Sequence, residues 1–502
     1  MAKETTVKTK EKLPKGMAAI ALIMVLGALP PMLDSTIVNV AVNSLKTVFG
    51  TSLDIIQWVV TGYVLALAIA VPFCGWLIQK IDGKKIFMAA LVLFLIGSTL
   101  SGLAWTVESL IIFRVFQGLA AGILITSLST LIVQMAGSDN LGKMMSLVGI
   151  PAVFGPIIGP VIGGLIMQYL PWNWLFFVNI PIGVVGLILI WWKVPKFEAG
   201  NPAAKLDWPG VILLAITSGA VIYGITQVVH TNSQTSGIEF LVIGAVALIA
   251  YILYALHRKG KVLIPLDMFR SKNFTAAFIA LFLAGFALNG PMLLLPMFFQ
   301  NVMLTEAAPA STLAFPRNVW SFLTHPQPDQ IIIVSALWLV TQGIGMLITR
   351  PLVGRLIDRI GARFVAIPCI LITLLGTIPF AFLGPSSSPV LIWGILLVRG
   401  AGVGGFMVPL MADCFVGLSK AQVPQASVAT RIIQNIGGAF GSAVLATIVS
   451  NVLIAQPHDF AGAYHTGFFT SLIFMVIALV PALFLTNKWK SRKEGRLSSK
   501  KR

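Results

Sequence analysis

Two residues of opposite charge stand inside apolar runs. Asp34 lies in Pro30-Pro31-Met32-Leu33-Asp34-Ser35-Thr36-Ile37, and Arg114 precedes Val115-Phe116-Gln117-Gly118. A carboxylate at bilayer depth costs about 2.5–3.5 kcal/mol on insertion scales, so it faces a protein cavity and handles protons, ions or charged ligands, or pins one helix to another. An arginine there must meet a carboxylate, carbonyls or water. Asp34 falls about nine residues from the outer end of its run and Arg114 about five from its own, so at 1.5 Å per residue their depths differ by about 6 Å. A neighbouring cation favours the ionised carboxylate and desolvation the neutral one. If Asp34 is reached from alternate sides, it can load and release a proton, with Arg114 tuning it. The alternative is a static buried ion pair.

Other candidates are weaker. Asp413 and Arg431 also agree in depth and form a possible second charge pair, as a gate, a protonation site or a structural latch. Arg399 holds in its run the place that Arg114 holds in the first half. Ser35, Asn39 and Asn43 recur every four residues, so they share one helix face that lines a cavity or bonds a neighbouring helix. Gln117 joins this polar lining. Trp58, Tyr63, Met292 and Phe299 could furnish an adaptable greasy chamber, although most such residues pack helices. Gly155, Gly159, Gly163 and Gly164 let a neighbouring backbone approach, while Pro156 and Pro160 remove hydrogen bonds and kink the span.

No phosphate-cradling loop is present, and Cys74, Cys369 and Cys414 lack metal-ligand spacing, as do the five histidines. The expectation is therefore free buried thiols, no cofactor, no metal and no enzymatic chemistry.

The elements that position these residues follow from composition. The chain has 502 residues, 57% of them hydrophobic and 10% charged, and its mean hydropathy is +0.92. A soluble domain carries roughly 25% charge. Fourteen apolar runs are each long enough to cross a ~30 Å hydrocarbon core: 17–43, 55–77, 85–105, 109–133, 144–170, 174–193, 208–229, 238–256, 273–300, 331–353, 364–384, 389–416, 426–452 and 466–487. The first follows Lys3, Lys8, Lys10, Lys12 and Lys15 but is too long, and lacks the small-residue cleavage site, for a removed signal.

The net charge of +18 does not point to nucleic acid, because its distribution is one-sided. One set of loops and both tails carry nearly all Lys and Arg. The opposite loops hold only Lys46 and Arg317, and Arg114, Arg350, Arg399 and Arg431 lie in or at the ends of runs. That bias puts both termini in the cytoplasm, with anionic lipid headgroups against the basic face.

Two polar links divide the runs into six, two and six. The expected parts are a tail (1–16), a six-helix bundle (17–193), an extra helix pair (206–258), a second six-helix bundle (273–488) and a basic tail (489–502). The outer loop 301–330 is long enough to suggest a lid or a tolerated insertion. A repeat supports the cut: Gly75-Trp76-Leu77-Ile78-Gln79-Lys80-Ile81-Asp82-Gly83 after the second run matches Gly354-Arg355-Leu356-Ile357-Asp358-Arg359-Ile360-Gly361-Ala362-Arg363 after the tenth.

These two loops resemble the signature loop of the major facilitator superfamily. Asp34-Ser35-Thr36-Ile37-Val38-Asn39-Val40, Arg114-Val115-Phe116-Gln117-Gly118 and Gly155-Pro156-Ile157-Ile158-Gly159-Pro160 resemble motifs of its fourteen-span drug:proton antiporter branch, the EmrB/QacA type. Trp172-Asn173-Trp174 through Pro181 and Leu206-Asp207-Trp208-Pro209-Gly210 fit the same branch. Gln79 and Asp82 depart from the usual first loop, and Asn173 stands where Arg is common.

The resemblance implies two bundles around a central cavity and an all-α polytopic fold of 14 transmembrane helices. It also implies a multi-pass monomer in the bacterial inner membrane that exports hydrophobic, cationic or amphiphilic compounds against protons by alternating access. It assigns proton transfer to Arg114, a hinge and seal to the Gly155–Gly164 segment, and signature-loop roles to Gly75, Lys80, Gly354, Asp358, Arg359, Gly361 and Arg363. An exporter of an endogenous metabolite, lipid, fatty acid or siderophore shares this fold, and a scaffold or sensor without flux is the alternative of another class.

Overall fold

The computed structural model describes residues 16–136, 141–198, 206–228, 234–258, 262–304, 330–385, 387–418 and 422–487. Most of loop 301–330 and both tails lie outside the described residues. The chain is all-α, with no strand among the described residues. In chain order the helices are α1 (Met17–Gly27), α2 (Leu29–Phe49), α3 (Leu53–Ile56), α4 (Trp58–Lys80), α5 (Gly83–Gly102), α6 (Val107–Ala136), α7 (Leu141–Val148), α8 (Ile150–Tyr169), α9 (Trp174–Phe177), α10 (Asn179–Lys193), α11 (Trp208–Val228), α12 (Gln234–Arg258), α13 (Lys272–Phe298), α14 (Ile331–Ile360), α15 (Arg363–Thr377), α16 (Pro389–Asp413), α17 (Val423–Ala455) and α18 (Phe460–Ala482).

Thirteen helical stretches among the described residues are long and apolar enough to span a membrane. The fifth expected run, 144–170, is split into α7 and α8, which meet at Gly149 just before Pro151. In lipid every backbone polar group must be satisfied within the protein, and helices achieve this internally. The ends of the helices are closed by side chains and turns. Asp82 Oδ1 accepts from Lys84 N–H at 2.8 Å, and Asp459 Oδ1 from Gly462 N–H at 2.8 Å. Gly361 ends α14 with φ of 95°, a left-handed value that favours glycine.

The first run is longer and less straight than expected. It breaks at Ala28, because Pro30 and Pro31 sit in the first turn of α2, and α2 continues to Phe49 rather than stopping near 43. Depth counted from the apolar edge therefore understated the helix beyond Asp34.

Helices α1 to α10 pack on one another chiefly through α2 on α8, α4 on α6, α5 on α6 and α1 on α10. In the last six helices, α13 packs on α17 and α18, and α14 and α15 both pack on α16. The seam between the two groups is made by α7 and α8 against α14, and by α4 and α6 against α17. The extra helices α11 and α12 pair with each other, and α11 also lies against both α4 and α17. Below, "the basic end" is the end of the spans whose loops carry the Lys and Arg clusters.

Candidate functional site

The Asp34 site is assembled by six helices. Asp34, on α2, is fully buried, and its Oδ2 accepts from Arg114 Nη1 of α6 in an ion pair. Its Oδ1 accepts from Asn179 Nδ2 of α10 at 3.0 Å and from Gln117 Nε2 at 3.2 Å. Arg114 also donates from Nε to the Val59 carbonyl (3.1 Å) and from Nη1 to Gln117 Oε1 (2.8 Å). Its guanidinium lies 4.1 Å from the centroid of the Tyr63 ring and 5.7 Å from that of Phe176. Tyr63 Oη in turn donates to the Pro31 carbonyl at 2.9 Å, tying α4 to the broken start of α2. Ser98 on α5 completes the shell, accepting from Asn179 Nδ2 at 3.1 Å and donating to the Phe176 carbonyl at 2.9 Å.

Glycines make this convergence possible. A Cβ at Gly118 would strike the Tyr63 carbonyl oxygen, and one at Gly97 would lie 2.9 Å from Gln117 Cβ. The site can hold Asp34 as an anion, with an arginine and two amides donating to it. Asn179 Oδ1 is buried without a partner.

Asp34 and Arg114, matched in depth by sequence, are paired in the structure, and Tyr63 and Gln117 belong to the same cluster. Sequence reasoning missed Asn179 and Ser98, whose signal was a small polar residue within an otherwise apolar span. Asn179 was visible only as one letter of the Trp172–Pro181 motif.

Other expectations are redistributed. Ser35 Oγ donates to the Met32 carbonyl of its own helix at 2.9 Å. The side chains of Asn39, Asn43, Pro156 and Pro160 lie outside the described residues. Trp58 does not line a chamber: it stacks on Tyr223 of α11 at 5.7 Å between centroids. Phe299 is fully buried against Trp338 (5.2 Å), in a packed aromatic cluster with Phe298, Phe380 and Phe468, and Met292, on α13, is half-buried.

Asp413 and Arg431 do not form the expected pair. Asp413 Oδ2 accepts from Thr486 N–H at 3.0 Å at the basic end. Arg431 reaches across the seam, donating from Nη2 to Ser129 Oγ of α6 at 3.0 Å and from Nη1 to Gln434 Oε1 at 3.3 Å. Similar depth does not imply a shared face. Arg399 is fully buried, donating from Nε to Thr377 Oγ1 (3.2 Å) and from Nη1 to Gln342 Oε1 (2.6 Å), with Nη2 unpartnered. Gln342 stands twelve residues before Gly354, as Tyr63 stands twelve before Gly75. The second group thus repeats the arginine with an amide in place of the ring and no carboxylate.

The glycine segment packs α8 onto α2. A Cβ at Gly155 would meet the Met32 carbonyl at 2.6 Å and one at Gly163 the Ile37 carbonyl at 2.9 Å, while one at Gly159 would fall on Thr36 Oγ1. Thr36 Oγ1 bonds the Gly155 carbonyl at 2.8 Å. Gly164 faces the other way, toward Ile333 of α14.

The two signature loops differ in their work. Asp358 accepts from the N–H groups of Gly142 (2.9 Å) and Lys143 (3.2 Å), so it caps the start of α7 across the seam. Gly354 permits this, since a Cβ there would sit 2.7 Å from the Gly142 carbonyl. In the first loop Gln79 occupies the matching place, and Asp82 instead caps α5 and accepts from Phe197 N–H at 3.2 Å. Gly75 abuts Val428 and the Pro424 carbonyl of α17, Lys80 and Arg359 are exposed, and Arg363 N–H donates to the Thr486 carbonyl at 3.2 Å. Asn173 Nδ2 donates to the Gly102 carbonyl.

The described residues form a helical membrane bundle with a buried acid–base pair. The sequence model of the Major Facilitator Superfamily matches residues 24–442 and 324–501, and the chain belongs to that family. Several similar proteins carry names of multidrug resistance or export. They include the Multidrug resistance protein B homolog of Mycobacterium tuberculosis, 26% identical over 97% of this chain and 94% of that protein. Multidrug export protein EmrB of Haemophilus influenzae is 28% identical over 85% of this chain and 79% of that protein. Fatty acid resistance protein FarB of Neisseria gonorrhoeae is 28% identical over 86% and 80%. Among solved structures the proton:xylose symporter XylE aligns with a TM-score of 0.59 at 17% identity, over 92% of this chain and 96% of that one, which shows the fold. The protein is therefore a multi-pass transporter of that superfamily, in the bacterial inner membrane.

Proposed function

We propose that this protein exports hydrophobic, amphiphilic compounds in exchange for protons, with Asp34 as the proton-carrying group. The supporting observation is the buried Asp34–Arg114 pair with its retaining shell. Protonation of Asp34 removes the charge that Arg114 faces, yet the arginine stays anchored to Val59 and Gln117. The pair is thus a two-state element that a proton can bias without unfolding the site. Coupling to alternating access follows from position: α2, which carries Asp34, packs by its backbone on α8, and α7–α8 forms the seam with α14. In this reading the Asp358 cap on α7 holds the cytoplasmic side shut, and the chain spans the membrane fourteen times (six, two and six) with both termini inside.

Export of a fatty-acid-like compound is the second reading, favoured by the relative named for fatty acid resistance. The lipophilic cation expected from sequence would need Asp34 as its counter-charge. In this state that carboxylate is fully engaged.

The test is Asp34→Asn in everted vesicles. Substrate-induced proton movement should vanish while the protein remains inserted and folded. Undiminished proton-coupled export by that variant would remove Asp34 from the mechanism.

A further inference from the structure

We propose that Arg350 is a positioning residue. From α14 of the second group it holds the C-terminal end of α7 in the first, and with Asp358 at the other end it clasps α7 in the state shut at the basic end. This rests on the exporter reading above and names the contact that alternating access must break and remake.

Arg350, Gly354 and Asp358 stand four residues apart on α14, so they share one face. That face meets the eight residues of α7, Leu141 to Val148, in antiparallel register. Asp358 reaches the N–H groups of Gly142 and Lys143. A Cβ on Gly354 would lie 2.7 Å from the Gly142 carbonyl oxygen and 3.0 Å from Ser146 Cβ, so the two helices touch there by their backbones. One turn further along α14, a Cβ on Gly149 would fall on Arg350 Nη1. Glycine at 149 is the seat that the guanidinium needs.

The charges match the ends they meet. A helix begins with free N–H groups and partial positive charge, and it finishes with free carbonyls and partial negative charge. Asp358 stands at the first end of α7 and Arg350 at the last. Pro151 sharpens the last, because it has no N–H to give the Leu147 carbonyl four residues back. Arg350 is only 4% exposed, and no acid pairs with it: among the described residues the ion pairs are Arg114–Asp34 and the exposed Arg270–Asp267. What its charge meets is the end of α7. That helix leads into α8, whose glycines seat α2 and with it Asp34, so a hold on α7 bears on the proton site.

The test reads distance, not flux. Spin labels at the exposed Lys80 and Arg359 positions report the seam at the basic end in the full chain in liposomes. Arg350→Met should raise the ratio of open to shut molecules about 5- to 30-fold, the worth of a well-placed cation at a helix end. Arg350→Lys should recover part of the loss. Gly149→Ala keeps the charge but takes its seat, and should open the seam to a similar extent. In an Arg350→Ala background the added methyl group finds room, and Gly149→Ala should then change the ratio by less than about twofold. A glycine needed only for packing would act equally in both backgrounds. The two substitutions reach the same result independently, so one that fails to fold leaves the other to decide.

An unchanged ratio in folded Arg350→Met overturns the clasp. So does a shift toward the shut state, which would mean that burying the cation costs more than α7 returns. Equal effects of Gly149→Ala with and without the arginine overturn it as well. The exporter reading fails separately, through proton-coupled export by Asp34→Asn, and that outcome leaves the ratios measured for the Arg350 variants as they stand.

Discussion

Replacing Gly159 with alanine puts a methyl carbon onto Thr36 Oγ1, the hydroxyl that sits between α2 and α8. That hydroxyl bonds the carbonyls of Leu33 and Gly155, each at 2.8 Å. To clear the methyl group it must swing away, losing about 1 kcal/mol of hydrogen bonding. Forcing an extra carbon into a close-packed contact costs a further 1–3 kcal/mol or so. Gly159→Ala should therefore cost about 2–4 kcal/mol. Thr36→Ala alone should cost about 1 kcal/mol, from the same bond. In the double variant the bond is already gone and the worst clash is relieved, leaving 2.9 Å to the Thr36 Cβ position. The two changes should then be sub-additive by about 1 kcal/mol or more. Gly164→Ala is the internal control: its Cβ meets only Ile333 Cγ1 at 3.4 Å, an ordinary contact, and it should be nearly neutral. Equilibrium unfolding in mixed micelles reads all four variants. Strict additivity of Gly159→Ala and Thr36→Ala, or a Gly164→Ala cost as large as that of Gly159→Ala, would refute the backbone-contact account of this helix pair.

Two further outcomes follow from the charges. Arg114→Met leaves the Asp34 carboxylate buried without its cation and should cost about 3–5 kcal/mol, whereas Arg399→Met orphans only the Gln342 and Thr377 oxygens and should cost about 1–3 kcal/mol. Comparing the two melting curves checks the asymmetry between the halves. Asp358→Asn weakens the cap on α7 by about 1–2 kcal/mol, a roughly 5- to 30-fold shift toward the state open at the basic end. Spin labels at the exposed Lys80 and Arg359 positions should report a longer distance in that variant.

How much of this was readable beforehand varied with the physics. Hydropathy and the one-sided distribution of Lys and Arg carry the spans, because lipid imposes a length and a composition on any helix that crosses it. Asp34 and Arg114 stood out because a charge in an apolar run is too costly to be incidental. Asn179 and Ser98 were not legible, since a small polar residue within a span is cheap enough to occur anywhere. Asp413 and Arg431 were mismatched because residue counting yields depth and not azimuth. The aromatic residues misled for a related reason. Trp58 looks the same in sequence whether it faces a chamber or Tyr223, and Phe299 whether it lines a wall or fills a core. The break at Gly149 lay in plain view beside Pro151, and what sequence did not show is that Arg350 of α14 lies against it.

Helix α11 touches α4 on one side and α17 on the other, and so bridges one flank of the seam. Acyl chains on that flank meet a plank of protein laid over the joint. On the opposite flank α8 and α14 meet with no such covering helix among the described residues. The molecule is therefore lopsided with respect to its surrounding oil: a compound dissolved in the bilayer finds one approach roofed over and the other bordered by the glycine-rich helix that packs by its backbone on α2.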